Sequence, residues 1–522
     1  MVTSRVSLRA LLVLIAACGA LRSSAAETPA PAALPVQAGS TLNLRDAMRW
    51  VMEKNFSLQV KEQDVLVAKD SVDRARGEFD PHFFISGTLE DNARRLNAID
   101  YSSFGITSAN PGVTIFNEQN LRTGAGFSGK LPTGTQYELS TTLNRLDNDV
   151  NRAGRFFSPE FESFAGLTLT QPLLKDFGLG ANMAETRMAR LEVRISEKTR
   201  EVEVVNKLIE LTNAYYDMVF GLENLKVKDE AVTVAQKLRE ENQERVRLGK
   251  MTDIDLTQAD VKISEAREEY ILGQDFLRER RVRLLKLLVN EFPAGAIPDF
   301  GVEPDLAVMP LTSSAADLYA SALTLRPDFL LAQQQIDKNR YGTDQARNQR
   351  LPQLDLKLAY GRGGLDDDFG PSYQQVFDDN QRRMSAGIVA SIAIGNHKAQ
   401  ADYRTAKRKQ LQSEMTLADL KTSISLDVSN AVQRIDTLQH RLETAQQSRK
   451  FAEQGLEVEQ SRLDAGKTTS FSVLDFQRKA SDARTRELAA RVDLKKAEAE
   501  LWAACGLFLQ KHGFATGETA AK

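Results

Sequence analysis

Few side chains in this sequence stand in patterns that perform chemistry. Gly124-Ala125-Gly126-Phe127-Ser128-Gly129 satisfies GxGxxG, but it leads into Lys130-Leu131-Pro132-Thr133-Gly134 and not into a helix. The strand–turn–helix context that cradles a dinucleotide is missing, so strand glycines or a turn is the expectation. Asp366-Asp367-Asp368 offers carboxylates to Ca²⁺ but lacks the EF-hand spacing and reads as a solvated loop. The histidines (His82, His397, His440 and His512) are scattered, with no helical i, i+4 pair for zinc. No nucleophile–base or acid–base pair is evident, so neither an enzyme, a cofactor nor a metal is expected. Cys18 is the one residue with a modification signature. Ile15-Ala16-Ala17-Cys18 resembles a lipoprotein box, in which the cysteine becomes the acylated first residue. Ser24-Ala25-Ala26 before Glu27 competes with it as an ordinary cleavage site. Either way residues 1–26 (or 1–17) are an export signal, with Arg5 and Arg9 preceding a short apolar core. Cys505 then remains as a lone thiol, and no intramolecular disulfide forms.

The most informative pattern is a repetition. Arg245-Val-Arg-Leu248-Gly249 returns as Arg462-Leu463-Asp-Ala-Gly466. At the same offset Thr252 meets Thr469, Arg267 meets Arg484, and Leu277 and Leu284 meet Leu494 and Leu501. Each copy closes one long proline-free stretch and opens another, so the unit is a duplicated helical hairpin. A second match pairs Asp46 with Asp317, Ala75-Arg76 with Ala346-Arg347, and Pro81 with Pro352. Each half therefore reads helix, strands, long helix, glycine turn, long helix. The divisions are 27–40 as a Pro/Ala-rich linker, 41–292 and 316–511 as the two repeats, 293–315 as a proline-punctuated connector, and 512–522 as a polar, frayed tail.

The elements follow from periodicity. Thr41 to about Phe79 reads as helix. About 70 residues from Gly180 to Leu248 form one helical pattern, about 100 Å long; Ile195, Val202, Ile209 and Tyr216 fall seven apart. Ile424, Val428, Ala431, Ile435, Leu438 and Leu442 alternate steps of four and three, a heptad seam whose other faces meet water. Strands are expected at His82–Glu90, Gly124–Leu131, Thr135–Asn144 and Ser163–Gln171 in the first half. In the second half they are expected at Gln353–Tyr360 and around Ile388–Ile394, with a polar loop from Gly361 to Arg383. Tyr137, Leu139, Thr141 and Leu143 share one face, as do Leu354, Leu356, Leu358 and Tyr360.

Charge is balanced at 68 basic against 71 acidic residues, net −3, which leaves no footprint for nucleic acid. After the signal no apolar run is long enough for a membrane-spanning helix. Strands of about 8 to 10 residues with one apolar face suit a tilted membrane strand. An open sheet cannot sit in lipid with unpaired edges, so few strands per chain require closure by oligomerisation.

At this point the chain resembles the TolC-like outer membrane efflux protein family over nearly everything after residue 40. The resemblance rests on the Arg-x-x-x-Gly tips, Leu351-Pro352-Gln353-Leu354 entering a strand, Leu167-Thr-Leu-Thr-Gln171-Pro172-Leu173-Leu174 leaving one, and Ser472-Val473-Leu474-Asp475 after the second tip. It implies an α+β membrane protein: a homotrimer in the outer membrane, one shared β-barrel, and a periplasmic α-barrel of long antiparallel coiled-coil helices. It further implies an exit duct of a tripartite efflux or type I secretion system, with energy from an inner-membrane RND, ABC or MFS pump. The tips, here Arg245, Leu248, Gly249, Arg462, Leu463 and Gly466, would dock a periplasmic adaptor. Asp255 and Asp475 match acidic positions after the tips. In a trimer Asp475 would form a ring of carboxylates that favours cations and raises its own pKa by like-charge repulsion. The bland alternative is an exposed acid at a helix N-terminus. The family's basic gate residue and its acidic partner are Thr468 and Ser472 here. Ala393 stands where many members carry proline, and an extra hairpin around Leu131–Thr135 adds strands. The rival from another class is a periplasmic coiled-coil scaffold that never enters the membrane.

Overall fold

The computed structural model describes residues 39–97, 115–154, 157–249, 252–290, 298–307, 313–378 and 381–514. The export signal, Cys18 and most of the Pro/Ala-rich linker lie outside them.

In the first half Thr41–Leu42 (β1) precedes two helices, Leu44–Lys54 (α1) and Phe56–Arg76 (α2). The single helix expected here is broken at Asn55. Its side chain accepts the Ser57 amide at 3.0 Å and its own amide closes on Val51, so one residue ends α1 and caps α2. Four strands follow: His82–Arg95 (β2), Ile115–Lys130 (β3), Gln136–Asn148 (β4) and Glu160–Pro172 (β5). The long hairpin is Ala184–Arg247 (α3) and Asp253–Leu288 (α4). The second half opens with Gly301–Val302 (β6), which pairs in parallel with β1. The connector, expected to be non-helical, thus contributes a short strand. Ala315–Leu325 (α5) and Pro327–Asn348 (α6) come next, then Gln353–Asp366 (β7), Phe369–Asp378 (α7) and Arg382–Ser391 (β8). The second hairpin is His397–Asp464 (α8) and Ser470–Ala504 (α9).

The six strands β2, β3, β4, β5, β7 and β8 lie side by side in that order, antiparallel throughout. They are 10 to 16 residues long, more than the sequence suggested. The segment read as a polar loop after Tyr360 instead extends β7 to Asp366 and then forms α7. Ser372 of α7 is buried against the sheet, its hydroxyl 2.8 Å from that of Ser163 and 2.8 Å from the Phe161 carbonyl. Ile392 and Ile394 fall beyond β8.

Below the sheet the long helices form a curtain, one layer thick except at the waist, where α1 packs against α3 and α4. Next to the strands its order is α2–α3–α6–α8. Arg200 of α3 pairs with Glu62 of α2 at 2.6 Å, and the Arg350 guanidinium, just past α6, covers the Tyr403 ring of α8 at 4.6 Å. Farther down the order is α4–α3–α9–α8. The predicted seam is the buried stripe of α8: Ile424, Val428, Ile435, Leu438 and Leu442 pack with Ala490, Leu494, Ala497 and Leu501 of α9. Removing that apolar area from water is the main stabilising contribution along the hairpin. The ion pairs flanking it, such as Arg441–Asp493 at 2.8 Å, are surface contacts and add little. At the waist, Met48, Leu211, Tyr215, Leu284, Phe300 and Phe508 share one core. Phe508 is buried and the His512 ring lies 4.7 Å from it, so the chain as far as Phe514 is packed where fraying was expected.

Candidate pore wall and helical tips

The sheet register separates two faces. One contiguous row crosses all six strands: Phe83, Phe127, Leu139, Leu167, Tyr360 and Met384 are direct neighbours in turn. Every member is between 40% and 78% exposed. The row starts near the helical end of β2 and finishes near the loop end of β8. Such a climb is the stagger that strands need if they are to tilt and close a barrel. Toward the loop end this face turns charged, at Arg145 of β4 and Arg362 of β7. The opposite face carries His82, Ser128, Glu138, Thr168, Ala359 and Ser385 in the adjacent row, and Thr88, Arg122, Asn144 and Glu162 in another. Its charges pair across strands, Arg122 with Glu90 at 3.1 Å and Arg383 with Glu162 at 3.0 Å. Among the described residues both edges of the sheet are open: β2 exposes Phe83, Ile85 and Leu89, and all ten residues of β8 are exposed. An apolar face with unpaired edges is an aggregation site in water unless neighbours and lipid cover it. The GxGxxG segment lies inside β3, paired on both sides, so it forms no phosphate loop.

The far end of the curtain holds the two tips. Both turn on a glycine at φ +70°, Gly249 and Gly466. A helix-ending turn needs this left-handed conformation, which only glycine adopts without strain. At the second tip the Lys467 amide donates to the Arg462 carbonyl at 2.8 Å and the Gly466 amide to Leu463 at 3.0 Å, a Schellman pair. At the first, the Gly249 amide donates to Val246 at 2.8 Å. The tips are tied together: Arg245 lies 3.2 Å from Asp464, and the buried Ser470 and Asn242 share a 2.7 Å hydrogen bond. Leu456, Leu463, Val473 and Leu474 pack with Ala235, Leu238, Ala259 and Ile263 behind them. The six expected tip residues are therefore not equivalent. Leu248 is exposed at the end of its helix, whereas Leu463, which corresponds to Val246, turns inward.

The two expected gate acids have partners within the chain. Asp255 accepts the Thr252 amide at 3.0 Å and the Thr252 hydroxyl at 2.8 Å. These bonds hold its carboxyl below the usual range and make it the acid of a capping box. Asp475 is paired with Lys479 at 2.8 Å and Arg478 at 3.0 Å on its own helix. Within the single chain these two cations hold its carboxyl below the usual range. A third acid was missed. Glu459 on α8 is buried and accepts the Ser472 hydroxyl at 2.9 Å, the Arg462 guanidinium at 3.1 Å, and the Thr468 hydroxyl. The hydroxyls of Thr468 and Ser472, then the Arg462 charge, hold its carboxyl low. So the two positions that depart from the family's gate pair converge on one carboxylate across the turn. Its identity as an acid seven residues before Gly466 was visible in the sequence, but its partners were not.

Among the described residues no helix is long and apolar enough to cross a membrane, and no cluster of three His, Cys, Asp or Glu is placed to hold a metal. Residues 318–507 match the family described as outer membrane efflux protein. The pyoverdine export outer membrane protein OpmQ of Pseudomonas aeruginosa is 22% identical over 328 residues, covering 63% of this chain and 67% of its own. The cobalt-zinc-cadmium resistance protein CzcC of Cupriavidus metallidurans is 23% identical over 379 residues, 69% of this chain and 84% of its own. In fold the chain resembles CusC, with a TM-score of 0.60 at 14% identity over 92% of this chain and 98% of that one. It also resembles the open-state MtrE outer membrane channel of Neisseria gonorrhoeae, with a TM-score of 0.58 at 16% identity over 92% and 94%. By sequence over residues 318–507 the chain is similar to outer membrane efflux proteins, and over 92% of its length it shares the fold of CusC.

Proposed function

We propose that this protein is the outer-membrane exit duct of a tripartite efflux or type I secretion system, built as a homotrimer. The observation that carries the proposal is the two-faced sheet with open edges. One face presents an uninterrupted apolar row to its surroundings, the other is polar and charged, and among the described residues β2 and β8 are each left without an outer neighbour. Three copies joined β8 to β2 satisfy the edge amides, turn the apolar row to lipid, and enclose the polar face around water. The helical curtains continue below as a cylinder with a polar interior. The matching order of helices, strands and glycine turns in the two halves supports an internal duplication. The rival periplasmic scaffold leaves the apolar row without a covering and is disfavoured for that reason.

No nucleotide-binding pattern is present in the sequence, so the duct is passive and an inner-membrane pump of the RND, ABC or MFS class supplies the energy. A periplasmic adaptor docks at the Gly249 and Gly466 tips, where Leu248 is the exposed apolar contact. Arg245–Asp464 ties the two tips to each other and the Glu459 cluster staples the second turn, so both restrain the periplasmic opening; Asp255 and Asp475 stand close above them. Gly466→Pro, which forbids φ +70°, is expected to abolish export while trimers still assemble. The direct test is native mass spectrometry of detergent-extracted outer membranes. Three copies in one particle are expected, and a water-soluble monomer refutes the duct.

A further inference from the structure

The helices that enter and leave the sheet stand in the order α2, α3, α6, α8, and the strands covalently joined to them stand in the same order, β2, β5, β7, β8. The hairpin β3–β4 is inserted between the columns of α2 and α3, and among the described residues no long helix stands beneath it. Four helices packed side by side span about 32 to 40 Å of circumference at interaxial distances of about 8 to 10 Å. Six strands spaced about 4.8 Å and tilted about 40° span about 38 Å. Four strands would span only about 25 Å. The inserted hairpin therefore brings the sheet to the width of the curtain that carries it.

β3 and β4 also obey the facing rule of the other strands. Phe127 and Leu139 occupy the middle of the exposed apolar row, and Ser128 and Glu138 lie in the polar row. The row would have no continuity from β2 to β5 without them.

We propose that β3–β4 is an integral part of the membrane wall and that three copies build an eighteen-stranded barrel as wide as the twelve-helix cylinder below it. The inference rests on the trimeric duct proposed above. Its consequence concerns cargo. An eighteen-stranded wall at that spacing and tilt is about 36 Å across between backbones, against about 24 Å for twelve strands. Side chains of about 5 Å on each wall leave clear bores of about 26 and 14 Å. The membrane segment then imposes no narrowing, and size selection falls to the helical tips. The cargo admitted includes solutes too bulky for a twelve-stranded pore.

The test is an electron cryomicroscopy cross-section of the full-length protein in nanodiscs. Eighteen strands around one axis are expected. A trimer with twelve strands, and β3–β4 folded away from the wall, overturns this inference while leaving the duct intact. Absence of any shared membrane-embedded sheet overturns the duct and this inference with it. A second measurement is independent of particle quality. Glu138→Cys should react with a membrane-impermeant charged thiol reagent in vesicles and Leu139→Cys should not. Equal reaction at both positions overturns the placement of β4 in the wall.

Discussion

Replacing Leu167 by arginine tests the lipid-facing assignment where it is most exposed to refutation. Leu167 sits in the middle of β5, with Leu139 and Tyr360 beside it in the apolar row, and is 40% exposed in the single chain. If that face meets lipid, an arginine there costs about 2–4 kcal/mol per copy near the bilayer midplane. In a trimer the three substitutions sum to about 6–12 kcal/mol, enough to shift assembly by several orders of magnitude. Thr168, the next residue, projects from the polar face. Thr168→Arg should cost no more than about 0.5 kcal/mol, as expected of a solvated position. The assay is guanidinium unfolding of protein refolded into lipid vesicles, with trimer retention followed on unheated gels. Equal losses at the two positions, or an unperturbed Leu167→Arg, would refute the assignment of faces.

Other perturbations probe the tips. Gly249→Ala and Gly466→Ala should each destabilise by about 1–2 kcal/mol, the cost of an L-residue in the left-handed region. An added Cβ meets nothing within 4 Å at either site, so conformation alone sets the cost; unequal losses by thermal unfolding would argue against equivalent turns. Asp475→Ala should shift the reversal potential toward anions, because Arg478 and Lys479 then lose the acid they share; an unchanged potential removes Asp475 from the lumen. The capping-box acid Asp255 has a depressed pKa, so its contribution is present above the ordinary aspartate range and is lost as pH falls through its folded value. Acid titration of Asp255→Asn should lack that component; an unchanged acid profile contradicts the capping role.

The helical hairpins were legible in the sequence because their seam is chemically monotonous. Ile424 through Leu442 keep steps of four and three, and burial follows that stripe. The glycine turns were legible for a comparable reason, since few residues tolerate φ +70°. Strand ends were not legible. Alternation of apolar and polar residues marks only the part of a strand within one band of surroundings. β7 continues from Gly361 to Asp366 because β5 is there to pair with it, a cause that no local pattern encodes. α7 was hidden by Gly370 and Pro371, which signal loop yet are compatible with a helix's first turn. Asn55 divides α1 from α2 in a stretch whose apolar spacing continues through the break. The tip acids show the limit most clearly. Asp255 and Asp475 stood out by position, but their roles depend on Thr252, Arg478 and Lys479. Glu459, buried among Ser472, Thr468 and Arg462, looked like one more charge on a solvated helix.

The central claim is that copies of this chain enclose one continuous water-filled passage, polar inside and apolar outside. Single-channel recording in planar bilayers tests it most directly, using the wild-type protein and Asp464→Ala, which breaks the tie to Arg245 between the tips. Discrete unitary currents that scale with salt concentration are expected, larger in Asp464→Ala than in the wild type. Membrane-inserted protein that passes no current in either form would contradict the account.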